Sequence, residues 1–425
     1  MKRRQSGKFT APTWALLLTG FAAVVGVSLA VWLPDPDEAM PRNETPVETA
    51  SFGNTATFVG TTRCAECHSD KALAHTTSGH SKTFHKVEDL PIPTQLDGQS
   101  YVDPVRETTL KYEKEGDGLS VRIPEIFGDD PFPLQYALGS GQHAFTFLTL
   151  VPGPGGDAVG IEHRVSLFSE AGADRTDVPG GALGLTPGQH TNSINEDVDN
   201  FGHIVSGKAL TDCVRCHTTT AEIRGGEVAN LIPSVGCESC HGPGSEHARV
   251  MTATPSKSSS AQPRHIRQPG QMFATEWSAI DEIRLCGQCH RMPEDVRSDR
   301  VTPYHPSTIR FQPIGLLKSR CFLESDRSLS CSGCHDPHSH ASLTTQSDYV
   351  QTCLKCHSST GKGDATDCPV SPRNNCIECH MPPVQIHPGV YFHDHWIRVR
   401  DKQTGTSDKV KTTPAHVTAP SDPID

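Results

Sequence analysis

Seven copies of Cys-x-x-Cys-His decide what this 425-residue chain can become. They fall at Cys64-Cys67-His68, Cys213-Cys216-His217, Cys237-Cys240-His241, Cys286-Cys289-His290, Cys331-Cys334-His335, Cys353-Cys356-His357 and Cys376-Cys379-His380. Fourteen of the sixteen cysteines belong to them. Random order at this Cys and His content would give roughly 0.03 copies, so the repetition is no accident of composition. Half of a zinc ribbon or a thioredoxin-like pair also shows Cys-x-x-Cys, but neither needs His directly after it. The pattern reads as covalent attachment of c-type haem, seven groups in all. Two thiols form thioethers with the vinyl groups, and the two-residue spacer lets one helical turn present both. The adjacent imidazole then lies under the iron as proximal ligand.

Composition fits that reading. Only 35% of residues are apolar, which is lean for a core of this size. Porphyrins can supply what side chains do not. From Cys213 to His380, six motifs share 168 residues, or 28 each. The expected fold is therefore mainly α and irregular, with haems as the core, a small antiparallel β insert and an N-terminal transmembrane helix. Folding should depend on the haems as small metal domains depend on metal. Lys+Arg 38 against Asp+Glu 49 gives a net charge of −11, which argues against a nucleic-acid partner.

The N-terminus points to export. Lys2, Arg3, Arg4 and Lys8 precede an uncharged stretch over 10–34, and Asp35, Asp37 and Glu38 follow it. That asymmetry predicts a cytoplasmic N-terminus and an exported remainder. The 23 residues over 11–33 are enough to span a bilayer. Ser28-Leu29-Ala30 resembles a cleavage site, so a removed signal peptide is the alternative to an anchor. The organisation expected is a signal anchor over 1–33, a disordered linker over 34–57 and a first haem segment over 58–98. A β-rich insert over 99–175, a six-haem domain over 176–398 and a disordered tail over 399–425 follow. Within the insert, Leu110 and Tyr112 alternate with polar residues, Glu115-Gly116-Asp117-Gly118 turns, and Leu119, Val121 and Ile123 alternate again. The runs 143–151 and 159–168 read as further strands, and 255–262 as a flexible loop.

The connecting pieces carry a resemblance. They are Gly60-Thr61, Ser78-Gly79-His80, Gly139-Ser140-Gly141-Gln142-His143, Cys240-His241-Gly242-Pro243-Gly244, Arg310-Phe311-Gln312-Pro313, Cys334-His335-Asp336-Pro337-His338, Cys379-His380-Met381-Pro382 and His393-Asp394-His395-Trp396. Over about 58–398 the chain resembles multihaem c-type cytochromes related to the nitrifier tetrahaem cytochrome. That superfamily includes hydroxylamine oxidoreductases and pentahaem nitrite reductases, and the likeness is to its long bacterial forms. The resemblance implies redox work with closely stacked haems.

Most distal ligands should come from the other sixteen histidines, because only six Met are present and Met1 lies in the leader. His338 sits three residues after His335 and cannot reach the far face of its own haem; if it ligates, it ligates a neighbour. The same holds for His247 after His241. By resemblance the favoured distal ligands are His80, His143, His247, His338 and His395, with His203, His387, His305 and His190 as weaker candidates. His416, in the tail, reads as an ordinary surface histidine. Cys321 and Cys368 stand outside the motifs, as a disulfide, two free thiols or an unusual ligand.

Two functions fit. One is a periplasmic relay of single electrons, with seven six-coordinate irons, between a quinol-linked or other inner-membrane donor and a periplasmic redox acceptor. The other is an oxidoreductase with one five-coordinate haem for a small nitrogen or sulfur compound. No Cys-x-x-Cys-Lys occurs, and nothing singles out Tyr304 or Tyr391 as a haem cross-link. The relay is the preferred expectation.

Overall fold

The computed structural model describes residues 56–153, 157–169, 182–189, 192–194, 197–253, 278–357, 368–371, 373–387 and 390–399. The interval after the first motif folds largely as strands: β1 (Phe84–Lys86), β2 (Ser100–Val102), β3 (Thr109–Glu115), β4 (Gly118–Arg122), β5 (Phe132–Leu134) and β6 (Tyr136–Leu138). β7 (Ala144–Pro152), β8 (Ala158–His163), β9 (Val165–Phe168), β10 (Ala182–Leu185) and β11 (Gly202–Ser206) follow. β2-β3-β4-β5 form one antiparallel sheet. β1-β6-β7-β8-β11 form a second, in which β9 also pairs with β7 and carries β10. The β3–β4 turn needs a positive φ, and Gly116 supplies it at 64°.

Side chains give these sheets a core. Leu110, Tyr112, Leu119 and Val121 share a buried cluster with Phe145, Phe147, Ile161, Val165 and Leu167 of the second sheet. Full burial of each such aliphatic or aromatic side chain is worth roughly 1.5–3 kcal/mol. Here the expected mainly α and irregular fold is overturned. Fifteen strands occur among the described residues, and those of the sheet region reach from Phe84 to Ser206, beyond the 99–175 stretch. Lean average composition concealed a region rich enough in alternating Val, Leu, Ile and Phe to bury a core without porphyrin. Two hairpins add to the strand content, β12 (Thr218–Arg224) with β13 (Glu227–Pro233) and β14 (Pro383–His387) with β15 (Val390–His393).

The second sheet positions the second motif. On the helix Gly207–His217, Leu210 and Val214 lie four apart and pack with Phe84, Tyr136, Leu138, Leu148 and Leu150. Gly160 lets the helix approach, since a Cβ there would stand 2.6 Å from Leu210 Cδ1. A third cluster, Ile283, Met292, Leu316 and Phe322, joins the helix Ala279–His290 to the helices Gln312–Lys318 and Arg320–Glu324. Ser278 caps the first of these, reciprocally with Asp281.

Among the described residues no helix is long and apolar enough to cross a membrane. The expected anchor over 1–33, most of the linker, the loop 255–262 and the tail from 400 lie outside the described residues.

Candidate haem-binding centres

Each motif is folded as one helical turn. His68 N donates to Cys64 O (2.9 Å), His335 N to Cys331 O (2.9 Å) and His357 N to Cys353 O (3.0 Å). The second and fourth motifs end the helices Gly207–His217 and Ala279–His290, and the third and seventh are the helices Cys237–His241 and Cys376–His380. Such a turn sets both thiols and the imidazole on one side of the backbone, as attachment to a single porphyrin requires.

Four motif imidazoles each face a second imidazole brought from elsewhere in the chain. Ring centroids are 6.3 Å apart for His68 and His247, 6.2 Å for His80 and His290, 6.1 Å for His241 and His338, and 6.2 Å for His335 and His395. With a metal–imidazole bond of about 2.0 Å on either side, two rings on one iron have centroids about 6 Å apart. The donor set therefore fits a haem iron at these four places. Burial lowers His80, His247, His290 and His335, and takes His395 down to about 4. The neutral imidazole is the ligating form.

Hydrogen bonds orient several of these rings through Nδ1 and leave Nε2 for the metal. His217 Nδ1 donates to Thr83 O (3.0 Å), His380 Nδ1 to Arg398 O (2.9 Å) and His395 Nδ1 to His393 O (2.9 Å). His338 Nδ1 meets a carboxylate instead, Asp336 Oδ1 at 3.0 Å.

Two carboxylates, one buried and one partly exposed, pin motifs to one another. Glu238, between the cysteines of the third motif, accepts from Val59 N (2.9 Å), Gly60 N (2.7 Å) and Gly244 N (2.7 Å). It thereby ties the segment leading into the first motif to the third. Glu282 accepts from Ser332 N (2.6 Å) and from the Ser330 hydroxyl (3.0 Å), holding the fifth motif against the helix of the fourth.

Thiols of different motifs consequently lie side by side. Cys64 neighbours Cys237, Cys216 neighbours Cys289, Cys286 neighbours Cys331, and Cys353 neighbours Cys376. Cys240 also lies within electrostatic reach of Cys286, and Cys353 of Cys334. Cys321 and Cys368 are both free thiols, the former beside Cys334 and Cys356.

The remaining candidates are placed differently. His143 packs against Phe392, with centroids 5.0 Å apart. His305 Nδ1 accepts from Ser307 N (3.1 Å) at a helix start, and His203 lies on β11. His190, His416 and the His387 side chain lie outside the described residues. Sequence reasoning missed Thr83, Glu238 and Glu282. Glu238 had a signal, since it stands inside a motif; the other two had none.

Residues 188–242, which hold the second and third motifs, match the family model for cytochrome c554 and c-prime. That match lies where two of the motif turns stand, and the motif turns and facing imidazoles are the donor set that a multihaem c-type cytochrome needs. A solved structure, titled as the outer cell wall cytochrome OcwA, is similar at 15% identity, covering 80% of this chain and 79% of that one, with a TM-score of 0.45. No curated protein matches the chain.

Proposed function

We propose that this is an extracytoplasmic heptahaem cytochrome that relays single electrons between a membrane donor, such as a quinol-linked complex, and a periplasmic redox protein. The observation that carries the reading is the set of four facing imidazole pairs, each joining segments distant in sequence. Haem c at the seven motifs supplies one-electron chemistry; Cys64, Cys67 and their six counterpart pairs bind it, and His68, His217, His241, His290, His335, His357 and His380 ligate it. His247, His338, His80 and His395 serve as the distal ligands of the first, third, fourth and fifth haems. Paired imidazoles hold iron low-spin with little change in geometry between oxidation states, which suits fast exchange.

Export follows from the leader and from haem attachment outside the cytoplasm, and the stretch over 11–33 is proposed as the anchor. Intact mass should exceed the polypeptide by seven haem groups. Mixing the oxidised protein with a substoichiometric one-electron reductant should distribute the electrons among the haems within the mixing time. Haems that fill only over seconds, or a mass showing four or fewer, would sink the relay.

The second motif favours a further role. Among the described residues no imidazole faces His217, His357 or His380 as one faces His68, His241, His290 and His335; of these three, His217 is set apart by a cation. Arg310 lies close enough to depress its imidazole, after burial and against the Thr83 bond. An oxidoreductase of a small nitrogen or sulfur compound would use such a haem.

A further inference from the structure

A hairpin brings the chain back to its last motif. β14 leaves the seventh motif and β15 returns antiparallel to it, with His393 beside Pro383. Two bonds fasten the returning segment to the exit of the motif: His393 Nδ1 donates to Met381 O (2.7 Å) and Asp394 N to Pro382 O (3.1 Å). The stretch 394–398 then serves two motifs. His395 faces His335 of the fifth, with ring centroids 6.2 Å apart, and Arg398 O accepts from His380 Nδ1 of the seventh at 2.9 Å.

Asp394 opens this stretch and is 0% exposed. A carboxylate shut off from water must find its partners within the protein. Its Oδ1 accepts from Trp396 N at 2.8 Å, and its Oδ2 pairs with Arg398 Nη2 at 3.0 Å. The first bond, from two residues on, closes an Asx turn around His395 and fixes the backbone that aims this imidazole. From inside the turn His395 Nδ1 donates to His393 O (2.9 Å). The ion pair holds the Arg398 side chain, which also donates from Nη1 to Trp396 O at 2.7 Å. Its guanidinium lies over the rings of Tyr304 and Trp396, 4.7 and 5.6 Å from their centroids. The residue whose carbonyl receives His380 is thereby anchored through its side chain. Gly315 lets the helix Gln312–Lys318 close on the turn, since a Cβ there would stand 2.6 Å from Trp396 N.

We propose that Asp394 is a positioning residue shared by two haems. Through the turn it sets the plane of His395, distal on the fifth haem. Through Arg398 it places the carbonyl that orients His380, proximal on the seventh. The inference rests on the ligand assignment of the relay reading and goes beyond it, giving one support to two haems whose motifs are separated by the sixth. Partners behind a ligand fix its ring orientation, so loss of this carboxylate changes both irons at once. A carboxylate that only stabilised the fold would change neither.

The oxidised holoprotein and its variants should be compared by electron paramagnetic resonance, with haem content checked by mass. The signal of the fifth haem is the one that His395→Met removes from the wild-type spectrum. Asp394→Ala should shift the g values of two haems, that one and one other, because it opens the turn and frees Arg398. Arg398→Met keeps the turn and should shift the second signal alone. An unchanged spectrum in an Asp394→Ala protein with full haem content overturns the inference, whatever the stability of the variant, and leaves the relay standing. A shift confined to one haem overturns it too. If Asp394→Ala loses haem, Arg398→Met decides: one shifted signal other than that of the fifth haem supports the inference, and any other pattern overturns it. If His395→Met removes no single signal, the ligand assignment itself fails and the inference falls with it.

Discussion

At single residues, ring orientation has a spectroscopic consequence. The pairs His241–His338 and His68–His247 are nearly parallel, at 16° and 25°, whereas His80–His290 is nearly perpendicular at 74°. Parallel rings split the two iron d orbitals that point between ligand planes; crossed rings leave them close in energy and enlarge the g anisotropy. The oxidised protein should therefore show ordinary rhombic low-spin signals and one highly anisotropic signal, the latter removed by His80→Met. Asp336 gives a second expectation. Its carboxylate draws the Nδ1 proton of His338 and makes that ligand more basic than one bonded to a carbonyl. Asp336→Asn should raise the potential of the third-motif haem by on the order of tens of millivolts, readable by potentiometric titration. The need for His338 and His247 to face neighbouring motifs was legible in sequence, since neither can reach round its own haem. Which neighbour each faces was not. That depends on Glu238 and Glu282 holding motifs together across intervals no local pattern records.

Among the elements, the β8–β9 region stakes most on polar burial. Arg164 and Asp103, 1% and 0% exposed, form an ion pair, and Asp103 also accepts from Val105 N at 2.8 Å and Arg106 N at 3.1 Å. Burial alone would raise this carboxyl; Arg164 and the two backbone donors bring it below its ordinary value. Removing one partner leaves a buried charge, so Arg164→Met should cost about 3–5 kcal/mol, seen as earlier urea unfolding of the strand signal. His163, next in the chain, lies between Phe132 and Phe147 and is lowered by burial from 6.5 to about 3. Unfolded it would protonate near 6.5, so between these values the unfolded chain binds the extra proton. Stability present above 6.5 is lost on acidification, about 3 kcal/mol by pH 4.5. Amide protection in β7 and β8, corrected for intrinsic exchange, should fall accordingly, and His163→Gln should flatten the slope. The β3–β4 hairpin could be read from Leu110, Tyr112, Leu119, Val121 and the Gly116 turn. The run 159–168 reads as one strand, yet it breaks at Arg164 into two that both pair with β7 but differ on their other side, β11 beside the first and β10 beside the second. β1 is three residues long and pairs Phe84 with Leu138, a partnership no periodicity could announce.

For the whole molecule, the neighbouring thiols order the seven motifs as a branched series. The first adjoins the third, the third the fourth, the fourth the fifth, the fifth the sixth and the sixth the seventh, while the second joins at the fourth. The fourth motif is the junction, and His80, from the segment after the first motif, faces its His290. A Met ligand there raises the potential, by on the order of 0.1 V within the ~0.8 V that axial ligands command. In His80→Met the junction would hold its electron. Oxidation of the fully reduced protein by a large acceptor should turn biphasic, with a slow phase at least tenfold behind wild type. His247→Met makes the same chemical change at the first motif, an end of the series, and should leave the other haems exchanging as before. Stopped-flow oxidation of the two variants side by side separates the cases. If both slow the protein equally, electrons do not pass through a junction at the fourth motif, and the branched order inferred from Cys216, Cys240, Cys286 and Cys289 does not describe their route.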